Sequence, residues 1–184
     1  MYSNLPAGTV TFLFTDIEGS TQLWEQYPAA MQAALARHDA ILRAAIENNH
    51  GHIIKTTGDG MLAVFASAMD GVIAVVAAQG SLQAEDWSAT CPIRVRMALH
   101  TGEAEMRDGD YFGAALNRTA RLMAVGAGEQ SLVSQTTAAL VQDRLPEHVS
   151  LRDLGEHRLK DLVRPEHIYQ INAPELRADF PPLI

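Results

Sequence analysis

The chain has 184 residues, 47% of them hydrophobic, which is enough for one domain with a sizeable core. Its 14 basic and 22 acidic residues leave a net charge of -8. That excludes the basic face of a nucleic-acid binder, but not a phosphate substrate, because metal ions can supply positive charge.

Residues 8–16 read as a strand of β-branched and aromatic residues, with Ser20 and Thr21 placed to cap a short helix behind it. Pro28 starts a long helical pattern that runs to about Asn49. Met31, Ala34, Leu35, His38, Ile41, Leu42 and Ala45 recur along it at helical spacing, and Gly51 ends it. Residues 52–56 and 61–65 read as two strands around Gly58-Asp59-Gly60, a hairpin signal. Residues 66–83 form a second alanine-rich helix. From 93 to 100, Ile93, Val95, Met97 and Leu99 alternate with Arg94, Arg96 and Ala98, as in a half-buried strand, and 103–106 continue a hairpin. A helix over 113–125, a strand over 131–134, a helix over 136–142 and strands near 151–159 and 167–171 follow. The tail, 173–184, is irregular, with Pro174, Pro181 and Pro182; it either packs on the domain or is the stub of a linker. Helices and mainly antiparallel strands predict one sheet with helices on one face. The longest apolar patch, 72–78, is far too short to cross a bilayer, and no signal peptide is visible. The single cysteine, Cys91, permits no internal disulfide, so the expected compartment is the reducing cytoplasm.

Three stretches carry candidate chemistry. Thr15-Asp16-Ile17-Glu18-Gly19-Ser20-Thr21 puts a carboxylate at a strand end, and Lys55-Thr56-Thr57-Gly58-Asp59-Gly60 puts one at a hairpin tip. Taken alone, Asp16 reads as a helix cap and Asp59 as a turn residue. Together two such aspartates can hold a pair of Mg²⁺ ions against a nucleoside triphosphate. In the third stretch, Asp110 to Arg121, Asn117 and Arg121 stand four apart and share a helical face, while Arg118 points about 100° away. An isolated pair of that kind is a solvated polar face. No Ser-His-Asp or zinc-ligand arrangement is visible, and His100 reads as structural.

In this order, the three stretches resemble the catalytic domain of class III nucleotidyl cyclases, over about residues 8–171. The resemblance implies an α+β fold: a ferredoxin-like βαββαβ core, a largely antiparallel sheet with helices packed on it, and extra C-terminal elements. It implies a catalytic domain over 1–172, followed by the tail. By resemblance, Asp16 and Asp59 bridge two Mg²⁺ or Mn²⁺ ions per active site, with the Ile17 carbonyl as a further ligand, and Glu18 faces solvent or helps cap the helix. Asn117 orients the ribose, Arg121 stabilises charge on the α-phosphate, and Lys160 and Arg107 meet the triphosphate. Family members place a base-reading pair at the positions of Lys55 and Asp110. Guanylyl cyclases carry glutamate and a small or thiol side chain there, so the expected substrate is ATP. The family's sites lie at a head-to-tail dimer interface. Because this chain carries both half-sites, a homodimer with two shared sites is implied, with no nucleic-acid partner and no membrane segment in this chain. One rival is a cyclase-like domain that binds ATP or dimerises as a regulator. The other is a diguanylate cyclase, whose Gly-Gly-Asp/Glu-Glu-Phe signature is absent.

Overall fold

The structure, a computed structural model, describes residues 4–184, so the first three residues of the expected domain lie outside it. In chain order it runs β1 (Gly8–Ile17), α1 (Ser20–Gln26), α2 (Pro28–Glu47), β2 (His52–Thr57), β3 (Gly60–Phe65), α3 (Ala68–Ala84), β4 (Val95–Arg107), β5 (Asp110–Phe112), α4 (Ala114–Ala124), β6 (Ser131–Ser134), α5 (Gln135–Val141), β7 (Ser150–His157) and β8 (Glu166–Asn172). The strands lie in the order β2-β3-β1-β4-β6-β8-β7, with β5 paired to β4. All pairings are antiparallel except β4 with β6. The first four strands follow the ferredoxin-like βαββαβ order, and the last strands extend the sheet beyond β4.

β1 is the central strand. It pairs with β3 from Thr11↔Phe65 to Thr15↔Met61, and with β4 from Gly8↔Ala104 to Ile17↔Val95. The period-2 alternation of a strand sends its side chains to two faces. Leu13 and Ile17 join Met31 and Leu42 of α2 and Val72 and Val75 of α3 in the main core. Val10 and Phe12 point the other way, to Tyr111 and Ala115. Nearby on that second face, Leu122 packs with Ala98, Leu132 and Ile168.

Helices therefore cover both faces, which corrects the expectation of one. α2 and α3 sit on the first face and α4 on the second. The physical reason lies in β4. Ala98 and His100 are 1% and 7% exposed, so its second face is buried under α4. A small residue and a polar one made that face look solvated. The low profile of α4 allows the contact, since its buried positions are Ala115, Thr119 and Leu122. His100 bonds Ser134 Oγ through Nδ1 at 2.7 Å. Burial, and then the charge of Arg118, push its pKa down to about 4, so it is neutral at pH 7.

Two further details differ from the sequence reading. β4 runs unbroken through residues 103–106, and the hairpin turns only beyond Arg107. α1 has no side-chain cap; Gly19, in the left-handed region at φ 67°, stands at its N-cap instead of a serine or threonine. The tail packs on the domain: Ala173 and Leu176 are buried, Leu183 lies against the second-face cluster, and the Ile184 N–H donates to Val125 O at 3.3 Å. No helix among the described residues is long and apolar enough to cross a membrane.

Leu122 is fully buried between α4 and the sheet. Leu122→Ala is expected to cost about 2–5 kcal/mol of unfolding free energy in a denaturant titration. A loss below about 1 kcal/mol would contradict a packed second face.

Candidate active site

The β2–β3 hairpin is held tightly against the end of β1. Thr15 Oγ accepts the Met61 N–H at 3.0 Å. A Cβ added to Gly60 would lie 2.5 Å from the Thr15 carbonyl oxygen and 2.9 Å from Thr57 Oγ1, so only glycine allows this approach. The last β1–β3 pair is Thr15↔Met61. Asp16 and Ile17 thus run past the start of β3, alongside the turn that carries Asp59. Asp16 does not cap the helix; its Oδ2 accepts from Arg96 Nη2 at 2.6 Å and Nε at 3.2 Å. Arg96 also donates to Ala124 O, at the end of α4. Ile17 buries its side chain in the main core. Glu18 accepts the Gly128 N–H at 3.0 Å and ties the loop after α4 to the end of β1.

Asp59 turns one carboxylate oxygen inward, where Oδ2 is buried with no hydrogen-bond partner. A buried, unpaired carboxylate oxygen is costly unless a cation takes it up. Nearby His38 is enclosed on the inner face of α2, with Nδ1 2.8 Å from Asp39 and Nε2 unpartnered. Burial pushes its pKa down, against the pull of Asp39 and Asp59. No cluster of three or more metal-ligating side chains occurs among the described residues. Two carboxylates nonetheless suit Mg²⁺ or Mn²⁺, hard ions that keep waters and share substrate phosphates. The donor set fits such an ion pair.

A second group of residues lies around an open cleft of about 700 Å³ between α4, β5 and the outer sheet face. Phe14, Leu62, Tyr111 and Phe112 give it apolar walls, and Lys55 and Asn117 are among its polar lining. Lys55 Nζ reaches Asp110 at 3.1 Å and 3.4 Å. The Tyr111 N–H also donates to Asp110, at 2.8 Å. The Lys55 hydrogen bond, and then that N–H, hold the Asp110 carboxyl below its ordinary pKa.

On α4, Arg118 turns to the buried Glu166, which also accepts the Gln135 N–H. It is committed to holding α4, α5 and β8 together. Arg121 points elsewhere and donates to Asp161 at 2.7 Å. Lys160, exposed, is the residue before that partner in the chain. Arg107 bonds Glu105, lies 5.9 Å from the centre of the Phe112 ring, and stands opposite Asp110 in the β4–β5 hairpin. Among the described residues, no hydrogen bond or ion pair joins Asp16 or Asp59 to Lys55, Asp110, Asn117 or Arg121.

Residues 3–173 match the family described as the adenylate and guanylate cyclase catalytic domain. The chain belongs to that family. An uncharacterized protein of Mycobacterium tuberculosis is 41% identical over 180 residues, covering 97% of this chain and 61% of that protein. The chain thus spans about three fifths of the length of this relative. The adenylate cyclase of Podospora anserina is 29% identical over 222 residues, covering 90% of this chain and 10% of that enzyme. An adenylate cyclase of Trypanosoma brucei, solved in its monomeric state, superposes with a TM-score of 0.89 at 26% identity, over 100% of this chain and 97% of that one.

Within this cyclase domain, sequence reasoning missed three residues. Arg96 was counted on the solvent side of an amphipathic strand, although an arginine one strand over from Asp16 was a usable signal. Asp161 meets Arg121 across 40 residues, with no local cue. His38 was read only as part of the buried stripe of α2.

The close approach at Gly60 yields a direct test. Gly60→Ala is expected to push the Asp59 turn away from Asp16 and lower the activity proposed below by about 10²-fold, the usual scale of a ~1 Å misplacement. Unchanged turnover in the purified, folded variant would contradict the dependence of the site on this contact.

Proposed function

We propose that this domain is an adenylyl cyclase that converts ATP to 3′,5′-cyclic AMP and pyrophosphate at sites shared between two copies of the chain. The observation that carries the reading is the Lys55–Asp110 pair at the cleft, 3.1 Å apart. A lysine ammonium only donates hydrogen bonds, and an ionised carboxylate only accepts them. With Lys55 facing N1 and Asp110 facing the 6-position, the N1 acceptor and N6 donor of adenine match, whereas the N1 donor and O6 acceptor of guanine both clash. Lys55 and the Tyr111 N–H favour the ionised form of Asp110, which keeps it an acceptor.

The remaining roles rest on the family resemblance, and the chemistry of the residues suits them. Asp16, Asp59 and the Ile17 carbonyl would hold two Mg²⁺ or Mn²⁺ ions, which acidify the ribose 3′-hydroxyl and neutralise the triphosphate when bound. As the bond from the 3′-oxygen to the α-phosphorus forms, the 3′-hydroxyl proton passes to solvent water. The bond from that phosphorus to the bridging oxygen breaks, and pyrophosphate leaves. Asn117 would orient the ribose. Arg121, with its planar fork of donors, suits the charge that develops on the α-phosphate. Lys160 would meet the triphosphate, and Arg96 is a second cation, beside Asp16. Arg107, on the base-reading side of the cleft, is the weaker triphosphate candidate. Completing each site with a second copy rests on the family resemblance and on this chain carrying both half-sites. A reducing cytoplasm suits the free, buried Cys91.

The test is product analysis with Mn²⁺ and either ATP or GTP. The wild-type chain is expected to make cyclic AMP and little cyclic GMP. Lys55→Glu with Asp110→Gly is expected to shift the ratio of kcat/KM values toward GTP by about 10²-fold or more, since a site's own unpaired polar groups reject the wrong edge. Absence of any cyclic nucleotide would leave a binding or regulatory domain as the better reading. An unchanged ratio would remove these two residues from base recognition.

A further inference from the structure

The geometry points to Asp161 as a positioning residue for Arg121: a carboxylate latch that holds the guanidinium until an incoming triphosphate displaces it. This rests on the reading above, in which Arg121 meets the α-phosphate and Lys160 the rest of the chain of phosphates.

The two arginines of α4 are held in opposite ways. Arg118 is paired with a carboxylate that is 8% exposed, a fixed structural contact. Arg121 is paired at 2.7 Å with one that is 63% exposed, and is itself 40% exposed. The second pair is open to water and to ligand, and such pairs exchange at little cost. The Asp161 backbone lies in the left-handed region at φ 62°, which aspartate and asparagine adopt more readily than most side chains. The turn is anchored from below. Leu159 is buried in the second-face cluster, Leu162 packs against it, and the Leu162 N–H donates to Leu159 O at 3.2 Å. Lys160 and Asp161 are left at the outer edge, side by side.

A triphosphate carries several negative charges against the one of Asp161, so it wins Arg121 once it arrives. Lys160 and Asp161 are consecutive, so drawing Lys160 onto the phosphates moves Asp161 as well. Until then Asp161 competes for Arg121 and weakens triphosphate binding. The residue therefore sets affinity, and leaves the chemical step alone.

Asp161→Asn isolates the charge, because asparagine has the same shape and tolerates the left-handed backbone. Binding of magnesium tripolyphosphate is measured by calorimetry on the wild type, Asp161→Asn, Arg121→Gln and the double variant, alongside ATP kinetics. Asp161→Asn is expected to bind tripolyphosphate about two- to fivefold tighter, the range an exposed ion pair allows. KM for ATP is expected to fall by the same factor with kcat unchanged. In the Arg121→Gln background the tightening is expected to vanish. Equal tightening in both backgrounds would mean general electrostatics and would overturn the latch. So would no change, or a loss of kcat at constant KM. Should the wild type make no cyclic nucleotide, the cyclase reading fails, while the tripolyphosphate cycle still decides the latch.

Discussion

The contact on which the site depends is the one between Gly60 and the Thr15 carbonyl. Backbone meets backbone there, with no room for a side chain. This lets the β2–β3 hairpin close over the end of β1, with Thr15 Oγ taking the Met61 N–H. Asp16 and Asp59 are 43 residues apart in sequence, yet they arrive at the same strand end. β1 can bear this because it is the central strand, paired on both sides and packed on both faces. A rigid strand presenting its last residues to a ligand is a good platform for metal ligands.

The charged candidates show a second property. Three of them are paired within the chain: Asp16 with Arg96, Lys55 with Asp110 and Arg121 with Asp161. In a protein of net charge -8, this lets a site prepared for a polyanion exist without an exposed run of positive charge. In the proposed function, substrate enters by exchange of partners. Cations would replace Arg96 at Asp16, a base edge would part Lys55 from Asp110, and phosphate would replace Asp161 at Arg121. The exposed pairs at Lys55 and Arg121 are weak, so those exchanges cost little. The buried pair of Arg118 with Glu166 shows what a pair meant to last looks like in the same helix.

Local signals made much of this legible. The Gly58-Asp59-Gly60 turn, the start of α2 at Pro28 and the four-residue step from Asn117 to Arg121 are short-range facts, and the structure keeps each of them. The strand pattern of β4 was legible on one face only. Met97 and Leu99 announced the core, while Ala98 and His100 concealed that α4 covers the other side. That error also hid Arg96, which lies on the same second face and turns to Asp16 instead of to solvent. Asp161 was beyond reach for a different reason. Its partner lies 40 residues away on α4, and nothing in Leu159-Lys160-Asp161-Leu162 specifies that contact. The tail likewise gave no period, and its place was decided by single apolar residues such as Ala173 and Leu176 finding cover.

The central claim is that one chain contributes two different halves, each completed by another copy. Mixing Asp16→Ala with Arg121→Ala measures this most directly. Each variant alone breaks both sites of its own dimer. In a mixed dimer one site collects both lesions, and the other draws Asp16 from one copy and Arg121 from its partner, and is intact. With random exchange, cyclic AMP formation should return to at most about a quarter of the wild-type rate, from half the dimers and one site of two. If exchange is demonstrated and no activity returns, the halves do not complement across an interface, and a site contained within one chain replaces this account.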